Sequence, residues 1–327
     1  MKEIPFSTVL SALEDTSRVF PSRYLGQFSD LSPANLDAVM RVWPRLPQTR
    51  KHLLLKRMVE MFDEDILLSF DSLAARLLDD PDAQVRIYAL QLLMETNDPR
   101  LLPRLMQIAG SDPEPASRAQ AAMVLGQFVE MGELEEMSAE HLQRVTDCLL
   151  SAAQDPDGQT ARAALESLGF SSRAEVPPLI EAAFRHRDPR WQAAALTAIG
   201  RSADARWQEQ VLEALLSEDQ QVRLAAVRAA GELQLKPARQ PLLNMIEEEE
   251  DDEVLKAIIW SLSLIGGEDV REYLQTLMDD TDDEELLDFL EDALMNLDFT
   301  EDVETFNLLA YDEEEPVLRK KKSRGTE

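Results

Sequence analysis

Apolar and polar positions alternate along this chain in paired short segments. First segments such as VLEALL (Val211 to Leu216) and YLQTLM (Tyr273 to Met278) place apolar residues at i, i+3, i+4 or at i+1, i+4, i+5, the stripe of an amphipathic helix. Each leads through an acidic turn into a second segment rich in alanine. The turn and second segment recur as DPDAQVRIYALQLL (80–93), DPDGQTARAALESLG (155–169) and EDQQVRLAAVRAAGEL (218–233). Aligned on Val85-Arg86, Ser117-Arg118, Ala161-Arg162, Trp191-Gln192, Val222-Arg223, Val254-Leu255 and Leu286-Leu287, the copies follow one another at steps of 32, 44, 30, 31, 32 and 32 residues. The long step contains an insertion, EMGELEEMSAE, at 130–140, and an earlier degenerate copy is placed at Thr49-Arg50. A fixed period of this size is the signature of stacked supersecondary units.

The punctuation agrees with helices. Pro99, Pro177, Pro178, Pro237 and Pro241 fall where first segments open, and proline in a first helical turn forfeits no intrahelical bond. Second segments reach Leu125-Gly126, Leu168-Gly169, Ile199-Gly200 and Ala230-Gly231, where glycine is expected to supply left-handed C-caps. Ala89, Ala121, Ala195 and Ala226, four residues after their anchors, are expected to let second helices approach closely. Acidic residues three before the anchor, among them Asp82, Glu114 and Asp219, stand where they favour a helix N-terminus. The following Arg86, Arg118, Arg162 and Arg223 are expected to reach an acidic turn in their own or the adjacent copy, forming with those acids a structural ladder. Gln192, Leu255 and Leu287 interrupt it.

D-x-x-V-R-x-x-A followed by L-G at a spacing near 31 resembles the HEAT repeat, especially its short bacterial form first described in phycobilisome lyases, over residues 34–297. The resemblance implies an all-α, right-handed α-solenoid superhelix of seven or eight stacked antiparallel helix pairs, armadillo-like in class. Residues 1–33 are expected to cap it, with short helices at Phe6–Glu14 and Ser22–Phe28, because terminal units of a solenoid must be atypical. Residues 298–327 are expected to form an acidic, then basic, partly disordered tail.

Composition narrows the function classes. Aromatic residues are 6% and glycines number 11 in 327 residues, too few for a β-rich chain full of glycine turns. Of the net charge of −30, residues 1–246 carry −9 and residues 247–316 carry 27 acidic side chains against Lys256 and Arg271. The last eleven residues reverse the sign to +4 through Arg319, Lys320, Lys321, Lys322 and Arg324. So acidic a body repels phosphate backbones and anionic lipid, so neither nucleic acid nor membrane is expected as a partner. A single cysteine, Cys148, precludes an internal disulfide, and the N-terminus lacks the pattern of a secretory signal; a cytoplasmic monomer is expected.

Chemistry is hard to place. The three histidines, at 52, 141 and 186, lie in different copies and none precedes a glutamate, so the His-Glu pairs of HEAT-like di-iron hydroxylases are absent and no metal or other cofactor is expected. Asp280, Asp282 and Glu284 alternate, but the glycine of a calcium loop is missing. Cys148 lies in an apolar stripe without an activating base. The expectation is therefore a non-enzymatic scaffold or adaptor that takes a partner helix or peptide along the second helices, on the concave side. Positions two and six after each anchor should face outward, which gives Ile87, Met123, Leu224, Arg228 and Trp260 as contacts; in the Ala161 copy the same positions are Ala163 and Ser167. The alternative is a bilin lyase-like catalyst or chromophore-handling chaperone acting on a carrier protein, which would need arginines in that groove for the two propionates.

Overall fold

The computed structural model describes residues 4–65, 67–247 and 249–312, with side chains as far as residue 302. The basic cluster at 319–324 lies outside the described residues. Among the described residues every regular element is helical. The contacts divide the chain into two compact units, Met1–Ser202 and Ala203–Glu327.

The first unit contains α1 (Phe6–Glu14), α2 (Pro33–Val42), α3 (Gln48–Glu64), α4 (Asp71–Leu77), α5 (Ala83–Gln91), α6 (Leu102–Ser111), α7 (Pro115–Glu133), α8 (Ala139–Ala152), α9 (Gly158–Leu168), α10 (Val176–Phe184) and α11 (Pro189–Arg201). The second contains α12 (Gln208–Ala214), α13 (Gln220–Glu232), α14 (Arg239–Ile246), α15 (Asp252–Ile265), α16 (Glu268–Asp280) and α17 (Glu284–Asp312). Helices pair as hairpins from α4/α5 to α16/α17, and within each unit successive second helices pack on one another: α3, α5, α7, α9 and α11 in the first, α13, α15 and α17 in the second. Each unit is thus an α-solenoid, in which no hairpin buries its own apolar stripe unaided. Residues 298–312 continue α17 instead of beginning a tail.

Ahead of the hairpins, Phe6, Phe20, Tyr24 and Phe28 form an edge-to-face aromatic cluster with centroids about 6 Å apart. Ser22–Phe28 is a 3-10 helix. Arg50 ties this region to α3 by donating to the carbonyl of Asp15 at 2.7 Å and to that of Arg18. The insertion lengthens α7 to Glu133; Glu135 then adopts φ 62° and donates from its amide to Gly132, before Ser138 caps α8.

Each hairpin turn satisfies the exposed amides of its second helix in two steps. A capping aspartate accepts from the first turn, as Asp82 does from the Gln84 amide at 2.9 Å, Asp157 from Thr160 at 2.9 Å, Asp219 from Gln221 at 3.0 Å and Asp283 from Glu285 at 3.0 Å. The residue two positions earlier accepts the cap's own amide: Asp80, Asp112 and Asp155 do so at 2.8–2.9 Å, and His186, Ser217, Glu249 and Thr281 take the same place in later copies. Glu114 departs from this rule: its side chain caps nothing.

That earlier acid is the ladder's partner. Arg86 donates to Asp112 of the next hairpin through Nε and Nη2 at 2.8 and 2.7 Å, and to the Asp80 carbonyl of its own turn at 2.9 Å. Arg118 repeats this with Asp155 at 2.8 and 2.9 Å and with the Asp112 carbonyl at 2.8 Å. In the second unit Arg223 donates to the Ser217 carbonyl at 3.1 Å and approaches Glu249 at 3.6 Å. Lys51, not Arg50, begins the series by reaching Asp80 at 3.1 Å, where the Trp43 indole also donates at 2.7 Å. The capping acids Asp82 and Asp219 therefore do not pair with the arginines that follow them. Asp82 is paired with His52 at 2.7 Å.

Arg162 is not a rung. Thr160 stands three residues after the Asp157 cap, as Val85 does after Asp82 and Val222 after Asp219, so Thr160 is the fully buried anchor and Ala161, 3% exposed, stands at the arginine position. Between the same two turns there is instead an apolar depression of about 200 Å³, lined by Ala153, Leu165, Leu179, Ala182, Ala183, His186 and Trp191. Trp191 is half-buried there, with its ring 5.7 Å from His186.

Gly126, Gly169, Gly200 and Gly231 are not left-handed caps. Positive φ occurs only at Gly266 and Gly267 among the glycines described, whereas Gly126 and Gly231 lie inside helices. Their missing side chains admit the next second helix: a Cβ on Gly126 would stand 2.9 Å from Ser167 Oγ, and one on Gly231 would stand 2.7 Å from the Ser261 Cα. Both serines then donate across the contact at 2.9 Å, Ser167 to the Ala122 carbonyl and Ser261 to that of Val227.

Candidate functional site

In the second unit, α13, α15 and α17 present a depression of about 360 Å³, lined by Arg228, Glu232, Glu253, Lys256, Ala257, Trp260, Ser261, Leu264 and Phe289. Its floor follows from helix periodicity. Ile258, Ile259 and Leu262 face the core and are fully buried, which turns Trp260 outward at 41% exposure. The Trp260 ring lies 6.3 Å from that of Phe289, inclined at 41°. Around this aromatic pair the cations are already engaged: Arg228 pairs with Glu253 at 2.9 Å, and Lys256 pairs with Glu285, whose hydrogen bond holds the ammonium above its ordinary pKa. Both pairs are solvent-exposed and contribute little to stability. Their effect is to leave an apolar floor inside a rim without net positive charge.

Of the sequence-derived contacts, Arg228 and Trp260 line this depression, and Leu224 is half-buried on α13. Ile87 on α5 and Met123 on α7 are half-buried in the other unit. Phe289 was missed because it falls three residues after its anchor, between the two outward positions considered.

The family described as HEAT repeats matches residues 70–169 and 208–295. The chain belongs to the HEAT-repeat family. Among solved structures it is similar to the Escherichia coli protein YibA, at 15% identity over 84% of this chain and 96% of that one with a TM-score of 0.44. It is also similar to the complex of CpcE and CpcF of phycocyanin lyase from Nostoc, at 17% identity, 69% and 94% coverage and a TM-score of 0.48. Human deoxyhypusine hydroxylase shows 17% identity, 90% and 100% coverage and a TM-score of 0.36. These are similarities of helical-repeat architecture at low identity. No curated protein matches the chain.

On α9 the outward positions of this HEAT surface fall one residue earlier than expected. Ala163 and Ser167, expected to face outward, are buried at 6% and 0% exposure. Arg162 and Glu166 take the outward positions, both half-buried. The signal for the shift was present in the sequence: counting nine residues back from Gly169, as from Gly126 and Gly231 to Ser117 and Val222, leads to Thr160.

No group of three histidine, cysteine or carboxylate side chains is arranged to hold a metal ion among the described residues, the acidic turns included. Cys148 is half-buried with its thiol directed at the Met106 carbonyl at 3.7 Å, and burial pushes its pKa up, away from the thiolate. No described helix is long and apolar enough to cross a membrane.

Proposed function

We propose that this HEAT-repeat protein is a non-enzymatic interaction scaffold whose second helices receive a partner helix or peptide. The observation that carries this reading is the exposed Trp260, tilted against Phe289 over an apolar floor. A large aromatic surface left half in water is the usual centre of a binding hot spot. The partner segment fitting this place brings one bulky apolar side chain to the Trp260–Phe289 floor and basic residues to the rim. The second unit, with 12 basic and 34 acidic residues, would steer such a segment towards it. Arg228 and Lys256, neutralised by Glu253 and Glu285, offer little to an anionic chromophore at this depression.

The test is crosslinking with mass spectrometry of the full chain in native lysate, comparing wild type with Trp260→Ala and Arg228→Glu. Crosslinks from Lys256 to a basic, amphipathic partner segment, lost in Trp260→Ala, are the expected result. Partner recovery unchanged by both substitutions would remove the depression from consideration.

A further inference from the structure

The outward face of α9 and α11 in the first unit carries a different kind of chemistry. Arg162 and Glu166, at i and i+4, form one stripe on α9, and Phe170 follows just beyond its end. The Arg162 guanidinium lies over the Trp191 ring at 5.8 Å, and that of Arg201 lies over Phe170 at 5.1 Å. Cation–π stacking fixes both planar groups without neutralising either. Most other half-buried or buried arginines, 86, 104, 118, 173, 223, 239 and 271, are ion-paired, while Arg50 and Arg57 spend their guanidiniums on backbone carbonyls and on the Ser22 hydroxyl. Arg162 and Arg201 have no carboxylate within 4 Å among the described residues.

Glu166 is the acid close enough to feel both arginines, yet it makes no hydrogen bond to either. Burial raises its pKa, and the fields of Arg201 and Arg162 oppose that rise. Neither guanidinium makes a hydrogen bond or ion pair among the described residues, so both forks are free to receive a carboxylate. The approach is unobstructed as well: the neighbouring outward positions on α11 are Ala193 and Thr197, too small to cover the stripe. Residues 155–202 hold six basic and six acidic side chains, so this face is electrically neutral within a chain of net charge −30. An incoming carboxylate meets no surplus of like charge here, in contrast to the second unit.

We propose that this face binds an acidic segment of a protein partner, with Arg162 and Arg201 each receiving one side-chain carboxylate and Glu166 keeping the two apart. A planar fork matches a carboxylate with two parallel hydrogen bonds. The intervening negative charge disfavours a compact multivalent anion bridging both forks, which selects spaced carboxylates over phosphate.

The test is fluorescence anisotropy of the full chain with a fluorescein-labelled ten-residue peptide of alternating alanine and glutamate, its glutamine analogue, and inorganic phosphate as competitor. The glutamate peptide should bind in preference to the glutamine one, and phosphate should compete poorly. Arg162→Gln and Arg201→Gln should each weaken binding by about tenfold or more, Arg162→Lys should retain part of it, and Glu166→Gln should tighten it severalfold. Trp260→Ala should leave it unchanged, which separates this site from the one in the second unit. Unchanged melting curves will show that the arginine variants remain folded. Equal binding of both peptides, indifference to the two arginine substitutions, or weaker binding by Glu166→Gln would each overturn the proposal. So would light scattering that shows a dimer dissociated by Arg162→Gln, since the acidic residues of a second copy would then be the occupant.

Discussion

Replacing Arg86 by methionine isolates the physics of the ladder. The side chains of Arg86 and Asp112 are 9% and 6% exposed, and the guanidinium makes two hydrogen bonds to the carboxylate and one to the Asp80 carbonyl. Arg86→Met preserves most of the aliphatic volume but leaves Asp112 charged and buried with one remaining partner, the Glu114 amide at 2.9 Å. Removing one member of a buried pair costs about 3–5 kcal/mol, whereas replacing both can be nearly neutral. Asp112→Asn keeps an oxygen for the Glu114 amide and removes the stranded charge. Arg86→Met is therefore expected to lose about 3–5 kcal/mol in urea unfolding followed by circular dichroism. The double substitution Arg86→Met/Asp112→Asn should recover more than half of that loss. A solenoid need not unfold in one step, so the transition to compare is that of the first unit, followed by hydrogen exchange in α5 and α7. A single substitution within about 0.5 kcal/mol of wild type, or a double one no better than the single, would show that the rung is a surface contact in energetic terms.

Gly231→Ala forces a methyl group to within 2.7 Å of the Ser261 backbone and should cost about 1–3 kcal/mol by overpacking; Gly126→Ala, which meets mainly the Ser167 side chain, should cost less, and thermal melts compare them. Ala161→Arg alone places a guanidinium opposite His186, but Ala161→Arg/His186→Asp recreates the acid that Asp80, Asp112 and Asp155 supply, so the double variant should melt above the single one. Asp155 is held below the ordinary carboxylate range by the hydrogen bonds of Arg118, and Asp188 is lowered to about 2 by those of Arg190. Their contribution is present above the unfolded value near 3.8 and is lost as pH falls towards 2; an acid titration should show stability falling in that window, with Asp155→Asn flattening part of the fall. Glu166 has the opposite sign, its folded pKa being raised by burial, so Glu166→Gln should raise the melting temperature at pH 7 and lose that advantage once the wild-type carboxyl is protonated.

What could be read from the residues alone was what repeats. The alternation of amphipathic and alanine-rich segments, the prolines opening first helices and the aspartates capping second ones are local devices, each acting through its own backbone within a few residues. They determined the helices, the hairpins and the HEAT class, and outward spacing along a helix located Trp260 and Arg228. Contacts between hairpins were another matter. Nothing local shows that Arg86 pairs with Asp112, 26 residues ahead, instead of Asp82, four behind, or that Gly126 is small because Ser167 crosses it. The same holds for Phe289 beneath Trp260 and for the two arginines held by Trp191 and Phe170. Arg162 stands five residues after the Asp157 cap, where Arg86 and Arg223 stand four after theirs, so it lies about 100° round the helix from the ladder position and faces outward beside Glu166. Register within a helix is fixed by its cap, but what each face meets is decided only when the neighbouring helix is laid against it.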